Sequence, residues 1–531
     1  MHSILFARAR TRLLSTIALA LALAAASTAG AQNVDLADKP LFSSTNVPGN
    51  LLLSLSVEYP TANTSAYFST TPYASDTLYL GYFDGAKCYR YLYDSTSPAS
   101  SYFQSYSAAS AGHQCTSSSA LPLWSGNYLN YAAMQSLDIF RWVMTGGNRV
   151  VDTAGSGGMT ILQKATHSGQ GGANDAPNKR ISSADEAGAT PFAWANGVKS
   201  RIWGAGIRLW LTGSGNLSRS DIVPVDYQDS LVANGSPDGG VVYSLYMNVR
   251  VCDPTVSLEQ NCVAYGEQSK PEGLMQQYAG SLRYSAFGYL NDSSPSRDGG
   301  VMRARMAYIG PKIPQPGAAA TTNPNPEWDP TTGVMLANPD PADASATNTS
   351  TNNLTSVSQS GVLNYLNKFG YASGSYKTYD PVSELYYASL RYLKGQTNVA
   401  AYSDMSGASA ATADTWADGF PVVTDWSTDP IVYACQKNFI LGIGDVNTHR
   451  DANLPGSSLR SSAEPSLPPE VVADASGSSP VNVATSTSLV GSMENPGNAS
   501  LGKTAATGDH GTYYIAGLAY DAHLPIAGKG D

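Results

Sequence analysis

The stretch from Cys435 to Asp451, CQKNFILGIGDVNTHRD, changes from an apolar run to Asp445, Asn447, His449 and Asp451 at alternate positions, with Asn453 next. Oxygen-bearing side chains behind a buried strand are what a hard cation needs, because Ca²⁺ and Mg²⁺ gather several oxygens from loops. Strand C-termini are also where open α/β sheets place their ligands. As a calcium loop of the helix–loop–helix kind the stretch fails. Counted from Asp445, the glycine position holds Arg450 and the twelfth position, which should be Glu, holds Gly456. The competing reading is a strand end whose polar side chains satisfy backbone groups, and the balance favours it.

A second constellation, GNASLGKT from Gly497 to Thr504, satisfies the phosphate-loop pattern G-x-x-x-x-G-K-[ST]. That loop works only between a buried strand and a helix N-terminus. The flanking GSMENP and AATGDHG supply neither, so nucleotide binding is not expected. There is no G-x-S-x-G elbow and no H-E-x-x-H pair. Cys435 and His449 could be imagined as a nucleophile and its base. The apolar neighbours of Cys435 instead predict a buried, inert thiol. No two carboxylates stand out as a glycoside-hydrolysing pair.

The elements that must position these residues read as follows. LLLSLSV at 51–57 predicts a buried strand, and TLYLGYFDGAKCYRYLY an aromatic hairpin turning at Asp84-Gly85. Leu129, Ala133, Leu137, Phe140 and Met144 recur at helical spacing from a Ser125 cap to the Gly146-Gly147 stop. NRVVDT, the segment from Ile202 to Thr212, and VVYSLYMNVRVC read as strands, and KPEGLMQQYAGSLRYSAFGYL as a helix running into a strand. DPVSELYYASLRYLKG predicts a helix with Asp380 as its N-cap, Pro381 at its first position and Gly395 at its end. GTYYIAGLAYDAH is a last helix. Strand–helix alternation of this kind implies an α/β fold with a largely parallel sheet. Residues 311–361 and 452–490, rich in Pro, Ser, Thr, Ala and Asn, interrupt it as flexible insertions of low complexity.

Composition narrows the class further. Charged residues make up 14% of the 531, well under the usual quarter. The net charge of −10 excludes the basic face of a nucleic-acid binder. The 32 tyrosines suit either a carbohydrate- or protein-contacting face or ordinary packing. Arg8, Arg10 and Arg12, an apolar core from Leu13 and the small residues Ala29-Gly30-Ala31 form a secretory signal peptide over residues 1–31. No later apolar run is long enough to span a bilayer, so no transmembrane segment is expected after cleavage. In an oxidising compartment Cys88 with Cys115, and Cys252 with Cys262, make two local disulfides, which leaves Cys435 unpaired.

WSGNYLNYAAMQSLDIFRWVMTGGNRVVDT resembles the N-terminal region of the PilY/PilC family of bacterial type IV pilus biogenesis and tip-adhesin proteins. The same resemblance runs in order through LLLSLSVEYPTA, YLGYFDGAKCY, VRVCDPTVSLEQNC, KPEGLMQQYAGSLRYSAFGYLND, RDGGVMRARM, CQKNFILGIGDVNTHRDANLPG and YYIAGLAYDAH. It implies a degenerate von Willebrand A-like (Rossmann-like) α/β region over residues 32–531, heavily inserted. It also implies a non-enzymatic role in pilus assembly, adhesion and twitching motility. Partners would be pilin and minor pilin subunits and a host or surface ligand, met in the periplasm, at the outer surface or at the pilus tip. The family's C-terminal β-propeller lies outside these residues, so a fragment is expected. A secreted hydrolase acting on surface polymers, or a truncated product without function, is the alternative. Von Willebrand A domains hold a divalent ion with a D-x-S-x-S loop, and here those positions carry Ser56, Glu58 and Pro60. Asp445 takes the place of a later ligand. The resemblance thus implies, at most, a weak Ca²⁺ or Mg²⁺ site from Glu58, Asp445, Asn447 and Asp451, and no other cofactor.

Overall fold

The computed structural model describes residues 47–68, 72–172, 174–218, 220–233, 237–294, 297–462 and 464–524, and the expected signal peptide falls outside them. Strand β1 (Gly49–Leu55) is apolar and buried, with Leu52 and Leu53 fully enclosed. After the single-turn helix α1 (Tyr59–Asn63) the chain leaves this strand and builds a long insertion before returning to it. The insertion holds β2 (Lys87–Leu92), β3 (Tyr102–Ala108), β4 (Trp124–Ser125), α2 (Gly126–Ala133), α3 (Ser136–Thr145), β5 (Arg149–Asp152) and β6 (Thr160–Gln163). It continues through β7 (Lys179–Arg180), β8 (Lys199–Arg201), β9 (Arg208–Thr212), β10 (Val225–Asp226), β11 (Tyr243–Tyr246) and β12 (Asn248–Val251). The hairpin of β13 (Cys262–Tyr265) and β14 (Gln268–Pro271) closes it.

The chain then returns as β15 (Leu282–Gly288), parallel to β1 with Gly49 opposite Leu282 and Ser54 opposite Phe287. Strand β16 (Val301–Ala307) runs antiparallel beside β15. Then follow the hairpin of β17 (Lys312–Gln315) and β18 (Ala318–Thr322), and helices α4 (Val362–Lys368) and α5 (Val382–Leu393). Strand β19 (Asn438–Ile443) lies parallel to the other side of β1, Asn50 opposite Asn438. The sheet order is β16-β15-β1-β19. Helices α6 (Pro469–Ser476), α7 (Val483–Glu494) and α8 (Tyr514–Ala522) complete the described chain.

The α/β class is as expected, but the parallel sheet is the smallest of the three main ones. The insertion forms a six-stranded sheet, β4-β2-β3-β12-β6-β5, and a five-stranded sheet, β10-β11-β9-β8-β7, each mostly antiparallel. Two large cores follow from this. One packs Leu52, Phe287, Met302, Leu366 and Leu385 around the parallel sheet. The other packs Tyr89, Phe103, Trp124, Tyr128, Leu209 and Tyr227 within the insertion. Most tyrosines of that region are therefore packing: Tyr73, Tyr79 and Tyr131 lie ring to ring at 5.0–5.6 Å.

Several local expectations change in space. The aromatic hairpin at 76–93 is not formed. Residues 77–83 run without strand pairing because two buried asparagines of α2 satisfy their backbone. Asn127 Oδ1 accepts Tyr79 N–H at 2.8 Å, and Asn130 accepts Phe83 N–H while donating to the Tyr79 and Phe83 carbonyls. The helix expected from Ser125 to Thr145 is two helices, α2 and α3. At the break Gln135 becomes a new N-cap whose N–H donates to Asp138 at 2.9 Å. Segments 311–361 and 452–490, expected as flexible insertions, carry the β17–β18 hairpin, a helix at Pro341–Ser350, all of α6 and most of α7. They supply Trp328, Ala344, Leu454, Val471 and Val483 to the interior.

Strand β19 also differs from expectation. It is an edge strand rather than a buried one, with Phe439 51% and Leu441 36% exposed, and Cys435 just before it is exposed rather than buried. Both expected disulfides form, Cys88–Cys115 and Cys252–Cys262. Among the described residues no helix is long and apolar enough to cross a membrane.

Candidate functional site at the carboxyl end of the parallel sheet

Strands β1 and β19 end side by side, and Ser56 N–H still bonds the Ile443 carbonyl at 2.8 Å beyond the last ladder pair. Gly444 permits this approach, since a methyl there would stand 2.9 Å from Ser56 Cβ. From these ends the chain presents Glu58 on one side and Asp445 on the other. The start of α5 lies at the same end, where a methyl on Gly444 would stand 3.5 Å from Val382 Cγ2. Asp380, just before the helix, faces both carboxylates, and Ser383 and Glu384 lie further in beside Asp451. This is the crevice in which an open α/β sheet builds its site.

Glu58 is fully enclosed and caps α1, accepting Thr61 N–H at 3.0 Å on Oε2 and the Thr61 hydroxyl on Oε1. Burial, and then the neighbouring charges of Asp380 and Asp445, push its carboxyl up to about 8. Asp380, expected as the cap of α5, does not cap it. Pro381 is the N-cap, and Asp380 Oδ1 instead meets His449 Nδ1 at 2.6 Å. Its own carboxyl is pushed up to about 8 by burial and by Asp445 and Asp451. Asp451, also fully enclosed, accepts the Ser383 hydroxyl at 2.7 Å and is raised by burial to about 6.

One step further, Glu384 receives Gly299 N–H at 2.9 Å and Asn453 N–H at 3.0 Å. Burial, with Asp298 and Asp451 nearby, holds it well above the usual carboxylate range. Asp298 takes the Asn453 amide at 2.6 Å and is raised to about 6, chiefly by burial. The cation nearest this acidic interior is Lys377. It is fully enclosed, gives its ammonium to the Asp292 and Arg297 carbonyls, and is depressed by burial to about 8.

Of the four ligands expected from the sequence, the structure brings Glu58 and Asp445 to a common neighbour, Asp380. Asp451 also neighbours Asp380 but is held by Ser383 of α5. Asn447 points its side chain to solvent and contributes only a backbone N–H, which donates to Asp445 Oδ1 at 3.0 Å. Asp380 Oδ2, Asp451 Oδ1 and Asp298 Oδ1 are buried without partners. Yet no three acidic or imidazole groups of this cluster come within 4.8 Å of one another. Among the described residues the only such trio is Cys252, Glu259 and Cys262, and its sulfurs are joined in a disulfide. The expected four are therefore not gathered as a compact trio of ligand atoms. With Glu58, Asp380 and Glu384 all raised by burial, the arrangement favours protonated carboxyls in a latch, the set of contacts that fastens the 445–453 loop to α5. The residues missed from sequence, Asp298, Lys377 and Glu384, gave one signal: Glu384 sits in the first turn of a well-marked helix, where a carboxylate finds free N–H groups.

The other chemical candidates close. Gly497–Thr504 folds into two short 3₁₀ turns, with Gly502 packed against the Ala484 carbonyl, so no phosphate cradle exists. Cys435 is exposed, and His449 is occupied by Asp380.

A fold of this kind, a largely parallel sheet with a disulfide-bearing α/β domain inserted after its first strand, defines an inserted α/β protein. Family models then match in tandem: the small alpha/beta domain of PilY1 homologs over residues 70–215, and their second domain over residues 287–510. The chain belongs to the PilY1-homolog family. A type IV pilus biogenesis factor PilY1 homolog of Xylella fastidiosa (strain Temecula1 / ATCC 700964) is 40% identical over 508 residues, 92% of this chain and 40% of that protein. A second protein of the same description from that organism is 24% identical over 437 residues, 71% of this chain and 26% of its own length. The chain thus spans about two fifths of the first relative's length. No solved structure matches it.

Proposed function

We propose that this chain serves type IV pilus biogenesis as a non-enzymatic scaffold of an exported protein, working through contacts with pilin and minor pilin subunits. The observation that carries this is the 40% identity across 92% of the chain to a protein described as a type IV pilus biogenesis factor. Two disulfides in the described residues accord with an oxidising compartment. In this reading the β16-β15-β1-β19 sheet is a degenerate von Willebrand A-like core, and its carboxylates fasten loops by shared protons in place of a resident cation. Adhesion and twitching motility are the cellular outputs.

Deletion of the gene in its host, complemented by wild type, tests this through sheared surface pilin and twitching-zone diameter. Loss of both, restored by complementation, is the expected result. Normal pili and twitching, with lost hydrolysis of a surface glycan, would replace the scaffold with the hydrolase alternative. Calorimetry with Ca²⁺ and Mg²⁺ on wild type and Asp445→Ala tests the latch. Saturable heat in wild type that disappears in the variant would restore a cation to the site.

A further inference from the structure

The five-stranded sheet of the insertion carries a second polar cluster that pilus assembly does not explain. Arg201 on β8 is the direct cross-strand partner of Trp210 on β9, and Arg208 on β9 that of Tyr246 on β11. Their side chains interleave. The Arg201 guanidinium carbon lies 4.3 Å from the Trp203 ring centre and 5.5 Å from that of Trp210. That of Arg208 lies 5.7 Å from Trp210 and 5.9 Å from Tyr246. A guanidinium sandwiched between aromatic faces keeps its edge N–H groups free for an acceptor in its own plane.

The acceptor is missing. Arg201 is 5% exposed, yet it makes one hydrogen bond, Nε–H to the Trp203 carbonyl at 2.8 Å. Two other buried arginines make more bonds, although Arg303 Nε is also without a partner. Arg283 donates to Asn50 Oδ1 and the Pro430 and Met306 carbonyls, and Arg303 to four carbonyls. Among the described residues no carboxylate pairs with Arg201 or Arg208, in a chain of net charge −10.

Arg201 Nη1, Trp203 Nε1 and Trp210 Nε1 are buried with no partner, and so is His167 Nε2. His167 belongs to the same neighbourhood: it bridges to Gly206, and its Nδ1 accepts Gly169 and Gly204 N–H, each at 3.1 Å. With Nδ1 accepting twice, the ring proton sits on Nε2, which is therefore a donor. A methyl placed on Gly204 would stand 3.9 Å from Arg201 Nη2, and one on Gly206 would meet nothing within 4 Å. Ser244, opposite Trp210, adds a hydroxyl without a partner.

Four partnerless N–H donors thus sit on residues that adjoin through the strand ladder and Gly204, with one partnerless hydroxyl beside them. Water fits such a set poorly, because each water must also donate its own hydrogens. We propose that the Arg201–Trp203–Trp210–His167 cluster is a binding hole for a small oxyanion, a carboxylate or a phosphate, entered past the half-exposed Trp203 and Arg208. The anion accepts from Arg201 Nη1, the two indoles and His167 Nε2. The stacked rings hold the guanidinium in plane, and Arg208 adds positive charge at the mouth.

Calorimetric titration and thermal melting with sodium phosphate, sodium acetate and sodium glucuronate, against sodium chloride at equal ionic strength, test this on wild type, Trp203→Phe and Arg201→Gln. Wild type is expected to show saturable, ion-specific binding. Phosphate against acetate tells which oxyanion is preferred, and glucuronate shows whether a carboxylate on a sugar is admitted. Trp203→Phe keeps a ring over the guanidinium but loses one donor, and should bind about tenfold more weakly. Arg201→Gln should not bind. Should Arg201→Gln fail to fold, Trp203→Phe decides alone. A response no larger than that to chloride, or equal affinity in wild type and Trp203→Phe, overturns the hole and leaves a structural ladder.

Discussion

Glu58→Gln should make this protein more stable above pH 8 while leaving it nearly unchanged at pH 5. Glu58 is enclosed, faces Asp380 and Asp445, and has its carboxyl raised from 4.5 to about 8. The native state therefore binds a proton on this group across a window in which the unfolded chain does not. Stability falls as pH rises wherever the native state holds more protons. The contribution is complete below about 4.5, declines by about 1.4 kcal/mol per pH unit, and is lost once pH passes the folded value. Over the whole window the cost of ionising Glu58 has an upper bound of roughly 5 kcal/mol.

Asp380 shares the same field and titrates with Glu58, so a single substitution should recover on the order of 1–3 kcal/mol at pH 8.5. Glutamine keeps an oxygen for Thr61 N–H, so the α1 cap survives at both pH values. The assay is urea unfolding of both proteins at pH 5, 7 and 8.5, in EDTA. Wild type should lose stability over that series and Glu58→Gln should lose less. A variant that parallels wild type across the series, or is weaker at pH 8.5, would refute a proton on Glu58. A wild type rescued at pH 8.5 by Ca²⁺ would show a cation replacing that proton.

Opening the Cys88–Cys115 bridge by a double Ala substitution removes a cross-link across 27 residues and should cost about 3.5 kcal/mol in urea unfolding. The same change at Cys252–Cys262, across 10 residues, should cost roughly 2.5 kcal/mol. Native, unreduced protein should take up one maleimide per chain at Cys435, read by intact mass and peptide mapping, and Cys435→Ser should shift stability by less than about 0.5 kcal/mol. Asn130→Ala strands three buried backbone groups of Tyr79 and Phe83, and should cost about 3 kcal/mol with faster amide exchange confined to residues 77–83.

What the sequence disclosed was local. The α5 and α8 helices, β1, β15 and the two cysteine pairs each announce themselves within a short window, and each formed. The site was half legible, because Asp445 and Asp451 were visible as carboxylates behind a strand. Their meaning depended on Asp380 and Glu384, more than sixty residues earlier, and on burial that no local pattern reports. Strand β19 misled for a physical reason. A strand of a parallel sheet is apolar on both faces because such strands are normally covered on both, so the same pattern cannot tell an interior strand from an edge. VVYSLYMNVRVC was read as one strand, but β11 and β12 belong to different sheets and divide at Met247, where the fully buried side chain of a continuous run conceals a change of partner. The break between α2 and α3 was missed because apolar periodicity runs straight through it, while a side-chain pair, Gln135 with Asp138, ends one helix and starts the next.

The insertion leaves and rejoins the parallel sheet in a way that places its contacts beside the carboxylates. Gln170 exchanges two hydrogen bonds with the Tyr376 backbone, 2.8 and 2.9 Å long, and the Tyr376 hydroxyl donates to the Thr166 carbonyl at 2.9 Å. The next residue is Lys377, whose carbonyl accepts Tyr59 N–H, and Asp380 follows within one turn. Further along the junction, Arg141 of α3 donates to the Leu366 and Phe369 carbonyls at the end of α4. Side chain-to-backbone hydrogen bonds therefore tie the inserted domain to the segment that carries Asp380, and others tie it to the end of α4 and to residues 333–335. Like charges in a buried site repel, so ionising Glu58 or Asp380 should weaken the hold between this segment and the Asp445 loop. The acidic end of the sheet and the docking of the inserted domain thus share the short segment from Tyr376 to Asp380, so amide protection there should fall with rising pH together with that of the Asp445 loop.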